Sequence, residues 1–186
     1  MITNHVRECL IYTPFKNCSS SLHNYFRKRP PFNSTLGPHP AYNDGRHERS
    51  GKHTAWLSPE WSDWKKFLPL RNPFDRVRSM YWWHISKHEE LEFDEWFDIH
   101  MKQPVCEPVI KIYFAYDHII RCEHIEDDLR EHGLLLETPK GAEIPFPRNN
   151  VTNPPRRIEF TQRQRDIIYW FHIEDFVAGN YPRDEQ

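Results

Sequence analysis

A single α/β domain on a mostly parallel sheet is the fold this sequence predicts, and three observations carry that prediction. Two stretches, 10–26 and 65–83, each pass from a short apolar run through a proline-bearing turn into residues at helical spacing, and a third, 118–136, repeats strand and helix. Strand-to-helix units in series build parallel sheets with helices packed on their faces. At 186 residues the chain is long enough for one substantial core and too short for two, so one domain is expected to span 1–186. A hydrophobic content of 38% supports a packed interior, and 16 prolines against 6 glycines predict stiff, extended connections.

In chain order, Leu10-Ile11-Tyr12 reads as a strand that ends at Pro14, and Ser19, Ser20 and Ser21 are placed to cap a helix whose apolar side carries Leu22, Tyr25 and Phe26. The first turn of that helix presents backbone N–H groups, three hydroxyls and the ammonium of Lys16 to one small volume, which suits an anion. The same residues also read as an ordinary Ser-rich turn beside a solvated lysine. No Gly-x-x-x-x-Gly-Lys-Ser occurs, which disfavours an ordinary kinase or ATPase. Residues 27–52, rich in proline, histidine and basic side chains, are expected to form a long surface loop, either meeting an acidic acceptor or simply solvated. Trp56, Trp61 and Trp64 read either as sugar-stacking residues or, as is commoner for tryptophan, as core residues. Phe67 to Leu70 form a second strand, Asn72-Pro73 turns the chain, and Val77, Met80, Tyr81 and His84 recur at helical spacing. Arg71 leaves the strand end and Ser79 lies on the helix, which allows both to converge on one further anion.

Together the two stretches resemble the sulfotransferases that use 3′-phosphoadenosine 5′-phosphosulfate, PAPS. In that family a Lys-x-x-Ser-[Ser/Thr]-Ser turn holds the 5′-phosphosulfate and an Arg-[Asn/Asp]-Pro-x-x-Arg-x-x-Ser stretch holds the 3′-phosphate. Lys16-Asn17-Cys18-Ser19-Ser20-Ser21 and Arg71-Asn72-Pro73-Phe74-Asp75-Arg76-Val77-Arg78-Ser79 match those patterns position for position. Phe15 stands between Pro14 and Lys16, where many relatives set proline next to the lysine. The likeness is closer to the carbohydrate branch, with its heparan sulfate 2-O-sulfotransferases and their bacterial and viral relatives. The resemblance implies a P-loop-like three-layer fold with a mostly parallel central sheet flanked by helices. It further implies PAPS as donor, 3′-phosphoadenosine 5′-phosphate as product, no metal, and a carbohydrate hydroxyl as acceptor. It carries Lys16, Asn17, Cys18, Ser19, Ser20, Ser21, Arg71 and Ser79 over as cofactor-binding residues, with Lys16 also catalytic. Relatives often have a histidine between the motifs, and His53 is the candidate base because imidazole titrates near neutral pH, with His39 and His47 as competitors. A catalytically inactive nucleotide- or glycan-binding relative and a phosphotransferase remain the rival readings.

The rest of the chain sets bounds. A formal charge of −2 argues against general nucleic-acid binding, which gains from a basic footprint. Cys9, Cys18, Cys106 and Cys122 show neither a disulfide framework nor zinc-site spacing, so reduced thiols are expected, and no zinc-type histidine motif accompanies the 12 histidines. The first strand starts too early for a signal peptide and no apolar segment is long enough for an anchor, which predicts a cytoplasmic protein without membrane insertion. Residues 92–101 read as an amphipathic helix, 109–116 as an apolar run of undefined type, 118–122 as a strand, 125–136 as a helix with Glu126, Asp127 and Asp128 in its first turn, and 161–177 as a final helix. Residues 138–157 are irregular and are expected to act as a lid; in the sulfotransferases that the chain resembles a loop near this position closes over the cofactor, which implies phosphate contacts for Arg148, Arg156 and Arg157.

Overall fold

A computed structural model describes residues 2–14, 16–27, 29, 32–34, 61–87, 91–103, 106–112, 115–147 and 158–184. Its five strands, β1 (Ile2–Asn4), β2 (Cys9–Ile11), β3 (Phe32–Ser34), β4 (Lys65–Leu70) and β5 (His118–Arg121), form one sheet in the order β3-β1-β2-β4-β5. β2, β4 and β5 are mutually parallel, with Ile11 opposite Phe67 and Leu70 opposite Arg121. β1 runs antiparallel to both β2 and β3, so it alone opposes the other four. The parallel half is the half the sequence predicts. The β1–β3 edge is a departure: part of the stretch expected to be loop pairs as a strand because Phe32 buries its ring against Phe26, with centroids 4.2 Å apart.

Alternation along the strands divides the core. Cys9, Ile11, Phe67 and Ile120 face α1 (Ser19–Phe26), and Leu68 and Leu70 face the other way. Leu22, Tyr25 and Phe26 are buried on α1, as their spacing predicts, and full burial of side chains of this size contributes roughly 2 kcal/mol each. The Tyr25 hydroxyl donates to Ile144 O at 3.0 Å and accepts from Leu136 N at 2.8 Å, tying α1 to the segment 134–147. α2 (Pro73–Ile85) opens with proline at its first position, and the Asn72 side chain accepts from Phe74 N at 2.9 Å. It buries Phe74, Val77, Met80 and Tyr81 against α3 (Phe93–His100), α6 (Gln162–Phe171) and α7 (Ile173–Gly179). The four-residue α4 (Val109–Ile112) places Val109 over Leu68 and Leu70.

Three helices end or begin elsewhere than the sequence predicts. α5 (Ile125–Glu131) stops before Leu136 because Gly133, at φ +64°, turns the chain and lets Leu134 N donate to Leu129 O at 2.7 Å. The span 161–177 is two helices, because the chain turns at His172, whose ring is buried and hydrogen-bonded to Asp175. Thr161 caps the first of them reciprocally with Gln164. α1 is capped by Cys18 and not by a serine: Cys18 sits in the left-handed region at φ 57°, so Ser19, Ser20 and Ser21 all lie inside the first turn. Among the described residues, no helix is long and apolar enough to cross a membrane.

Candidate anion-binding site

The site grows from the carboxyl ends of two adjacent parallel strands. After β2 the chain passes Pro14, and Asn17 N donates back to Pro14 O at 3.2 Å, closing a tight turn. Within it Lys16 and Cys18 both hold positive φ, 61° and 57°. Each non-glycine residue in that region costs about 1–3 kcal/mol, a cost that persists only where the surroundings enforce the conformation. Asn17 is the enforcing residue. It is fully buried, and its Oδ1 accepts from the backbone N–H of Arg71 at 2.9 Å, which locks the end of β4 against the turn after β2. Asn17 therefore stitches the two sequence motifs together through its side chain. The turn delivers the chain into α1, whose first N–H groups have no acceptor within the helix, and Cys18 supplies no side-chain cap to them.

Two cations meet here. Burial pushes the Lys16 ammonium down to about 8, and the nearby Arg71 charge pushes in the same direction. A desolvated lysine beside an arginine is an unfavourable pairing on its own, and anionic charge bound next to the two side chains offsets the repulsion and part of the desolvation cost.

The Arg71 end is braced from below. Glu123, just after β5, accepts from Asn72 N at 2.9 Å through one carboxylate oxygen and from the Tyr181 hydroxyl at 2.8 Å through the other. The same hydroxyl lies 2.9 Å from Leu70 O. Burial, and then the Glu123 carboxylate, push the Tyr181 phenol far up, so it stays a proton donor. Gly179 makes room for this: a Cβ there would collide with the Tyr181 ring. Asp128 grips both the backbone N–H and the guanidinium of Arg121, at 2.6 Å for each of the two shortest contacts, fixing the end of β5 beside Leu70.

Of the residues the sequence singles out, Lys16, Asn17, Cys18 and Arg71 are brought together, with Ser19, Ser20 and Ser21 in the turn of helix above them. Ser79 is half-buried on α2, six residues beyond Pro73 and about 9 Å along the helix axis. The other arginines of the second motif serve packing: Arg76 donates to Glu107 O at 2.9 Å, and Arg78 donates to Ile158 O at 3.0 Å and lies over the Phe160 ring. His53, with its competitors His39 and His47, lies outside the described residues, as do Arg148, Arg156 and Arg157. Glu123, Tyr181 and Asp128 were not legible as site residues. Glu123 and Asp128 look like ordinary acids at a helix start, and nothing in the sequence brings Tyr181 next to Leu70.

Comparison with family models, with curated proteins and with solved structures returns no match.

Proposed function

We propose that this chain is a PAPS-dependent sulfotransferase of the P-loop-like three-layer type, moving a sulfuryl group to an acceptor hydroxyl on a carbohydrate. The observation that carries the reading is the Asn17–Arg71 hydrogen bond, which joins a lysine-and-serine turn to an arginine strand end, with Lys16 and Arg71 close enough to repel. A donor carrying a phosphate on O3′ and a phosphosulfate on O5′ of one ribose is a ligand that uses two neighbouring anion subsites at once. Helices packed on both faces of the sheet, with the site at the carboxyl ends of its parallel strands, agree with that fold type.

The bound donor supplies an activated sulfuryl group, which passes to the acceptor oxygen as its bond to the phosphate oxygen breaks. Lys16 and the N–H groups of the first turn of α1 hold the charge that gathers on the departing phosphate, and each such donor lowers the barrier by about 3 kcal/mol. Arg71 and Ser79 bind the 3′-phosphate and position the nucleotide. His53 takes the proton from the acceptor hydroxyl.

The test is transfer from sulfur-labelled PAPS to a panel of glycans, lipids and small alcohols, with labelled ATP as a parallel donor. Transfer from PAPS to a glycan, lost in His53→Ala and kept in His39→Ala and His47→Ala, is the expected result. Transfer from ATP would establish the phosphotransferase, and nucleotide binding without transfer to any acceptor would establish a binding protein.

A further inference from the structure

The anion turn carries a feature that binding a phosphate does not require: a second cysteine set against Cys18. The topology forces the meeting. Cys18 follows Asn17, whose side chain is fixed to Arg71 N, and Cys122 follows Arg121, which stands opposite Leu70 in the β4–β5 register. Both cysteines are thereby anchored at the same point of β4, although they lie 104 positions apart in the sequence. Arg121 is held rigidly by Asp128, so Cys122 enters its 3-10 turn (Cys122–His124) from a fixed backbone. Both thiols are free and half-buried, and they share a hydrogen bond.

We propose that Cys18 and Cys122 are a redox pair that closes to a disulfide across the anion turn, with Cys18 as the attacking thiol and Cys122 as the resolving one. The hydrogen bond from Cys122 lowers the Cys18 thiol against the opposing effect of burial, and the Arg71 charge assists. Burial first, and the hydrogen bond with Cys18 second, raise Cys122 well above the ordinary thiol range. Attack goes through the thiolate, so this difference assigns the order of events.

The oxidant is a low-molecular-weight disulfide such as oxidised glutathione. The Cys18 thiolate forms a bond to one of its sulfurs and breaks its S–S bond, releasing one glutathione thiolate. The Cys122 thiolate then attacks the Cys18 sulfur and releases the second. The two cysteines lose two electrons and two protons, and oxidised glutathione leaves as two molecules of the reduced thiol.

Closure draws the sulfurs from hydrogen-bond contact to a bond of about 2.05 Å, with a restricted dihedral. Cys18 is the cap of α1 and is already held at positive φ, so this movement re-aims the first N–H groups of the helix and weakens anion binding. That consequence rests on the function proposed above; the pairing itself does not.

The experiment equilibrates the intact protein in buffers of reduced and oxidised glutathione, blocks remaining thiols by alkylation, and maps tryptic peptides by mass. Cys18 falls in peptide 17–27 and Cys122 in peptide 122–130, one cysteine in each. The expected product is those two peptides joined, reversed by dithiothreitol, with Cys9 and Cys106 recovered as thiols. In Cys122→Ser, Cys18 should instead accumulate as the glutathione adduct. A wild-type protein in which both cysteines stay alkylatable under fully oxidised glutathione, or in which Cys18 stops at the adduct, overturns the pair. Calorimetry with 3′-phosphoadenosine 5′-phosphate is then run on both forms. A loss of affinity of at least tenfold on oxidation supports control of the site, and equal affinity overturns it. If the reduced protein does not bind this nucleotide while the linked peptides form, the pair stands and the nucleotide reading falls.

Discussion

Lys16→Ala is expected to lower turnover of labelled PAPS by ~100-fold or more, an effect of about 2.7 kcal/mol on the barrier, with a smaller loss in nucleotide affinity. The split follows from where the charge appears. A group beside the departing phosphate oxygen gains most as negative charge builds up, so its removal is felt in the rate more than in binding. Because burial and Arg71 hold Lys16 down to about 8 in the protein without nucleotide, affinity for the nucleotide should also fall as pH rises through that value, and Lys16→Ala should lack this limb of the profile. Lys16→Arg is not expected to rescue fully, since a forked guanidinium fits poorly in a turn already crowded by Arg71. The same group costs stability. Between about 8 and its ordinary 10.5 the folded chain binds fewer protons at Lys16 than the unfolded chain, so its contribution is least favourable below 8 and improves as pH rises across that window. Lys16→Met should therefore melt higher than the wild type at pH 7 while losing turnover as Lys16→Ala does. Wild-type turnover in Lys16→Ala, or a pH profile that survives it, would contradict the mechanism.

Asp175→Ala is expected to cost roughly 3–5 kcal/mol, the range for removing one partner from a buried polar cluster. Its two carboxylate oxygens accept from Val109 N and Ile110 N, both at 2.9 Å, and His172 Nδ1 lies 3.3 Å from one of them, with Asp175 and His172 fully buried. Alanine leaves two amides and an imidazole without an acceptor and frees α4 from α7, uncovering Leu68 and Leu70 just before Arg71. In a chain of this size that corresponds to a fall of about 10 °C in melting temperature. Burial would raise the Asp175 carboxyl, but the His172 hydrogen bond and the Arg76 charge outweigh it and hold it below its ordinary value. Burial lowers His172, and it lowers His23 on α1 to about 4. Both imidazoles are neutral when folded and gain a proton on unfolding, so stability is fully present above pH 6.5 and declines as pH falls below it, before the carboxylates titrate. Denaturant midpoints for wild type and Asp175→Ala at pH 7.5 and 5.5 check both statements. An unchanged midpoint in the variant would show that α4 does not depend on this contact.

The parallel half of the sheet was legible because each of its first two strands is an apolar run stopped by a proline-bearing turn and followed by helical spacing, a pattern strong enough to read locally. β1 and β3 were not, since three residues are too few to show a period and β3 sits in a proline-rich stretch that reads as loop. The end of α5 was written in Gly133, but the apolar run 134–136 that follows it argued for continuing the helix. At the candidate site, motif spacing already pairs Lys16 with Arg71, and the structure sets the two near each other. The role of Asn17 as the stitch, and the contact between Cys18 and Cys122, depend on strand order and register, which residue spacing along the chain does not contain.

In the proposed function, Arg71 and Lys16 form two neighbouring subsites, one for the 3′-phosphate and one for the 5′-phosphosulfate of a single nucleotide. The most direct measurement is calorimetric titration of the reduced protein with 3′-phosphoadenosine 5′-phosphate and with adenosine 5′-phosphate, repeated on Arg71→Ala. The wild type is expected to bind the first at least tenfold more tightly, and Arg71→Ala to lose most of the difference. Equal affinity for the two nucleotides, or a preference unaltered in Arg71→Ala, would contradict it.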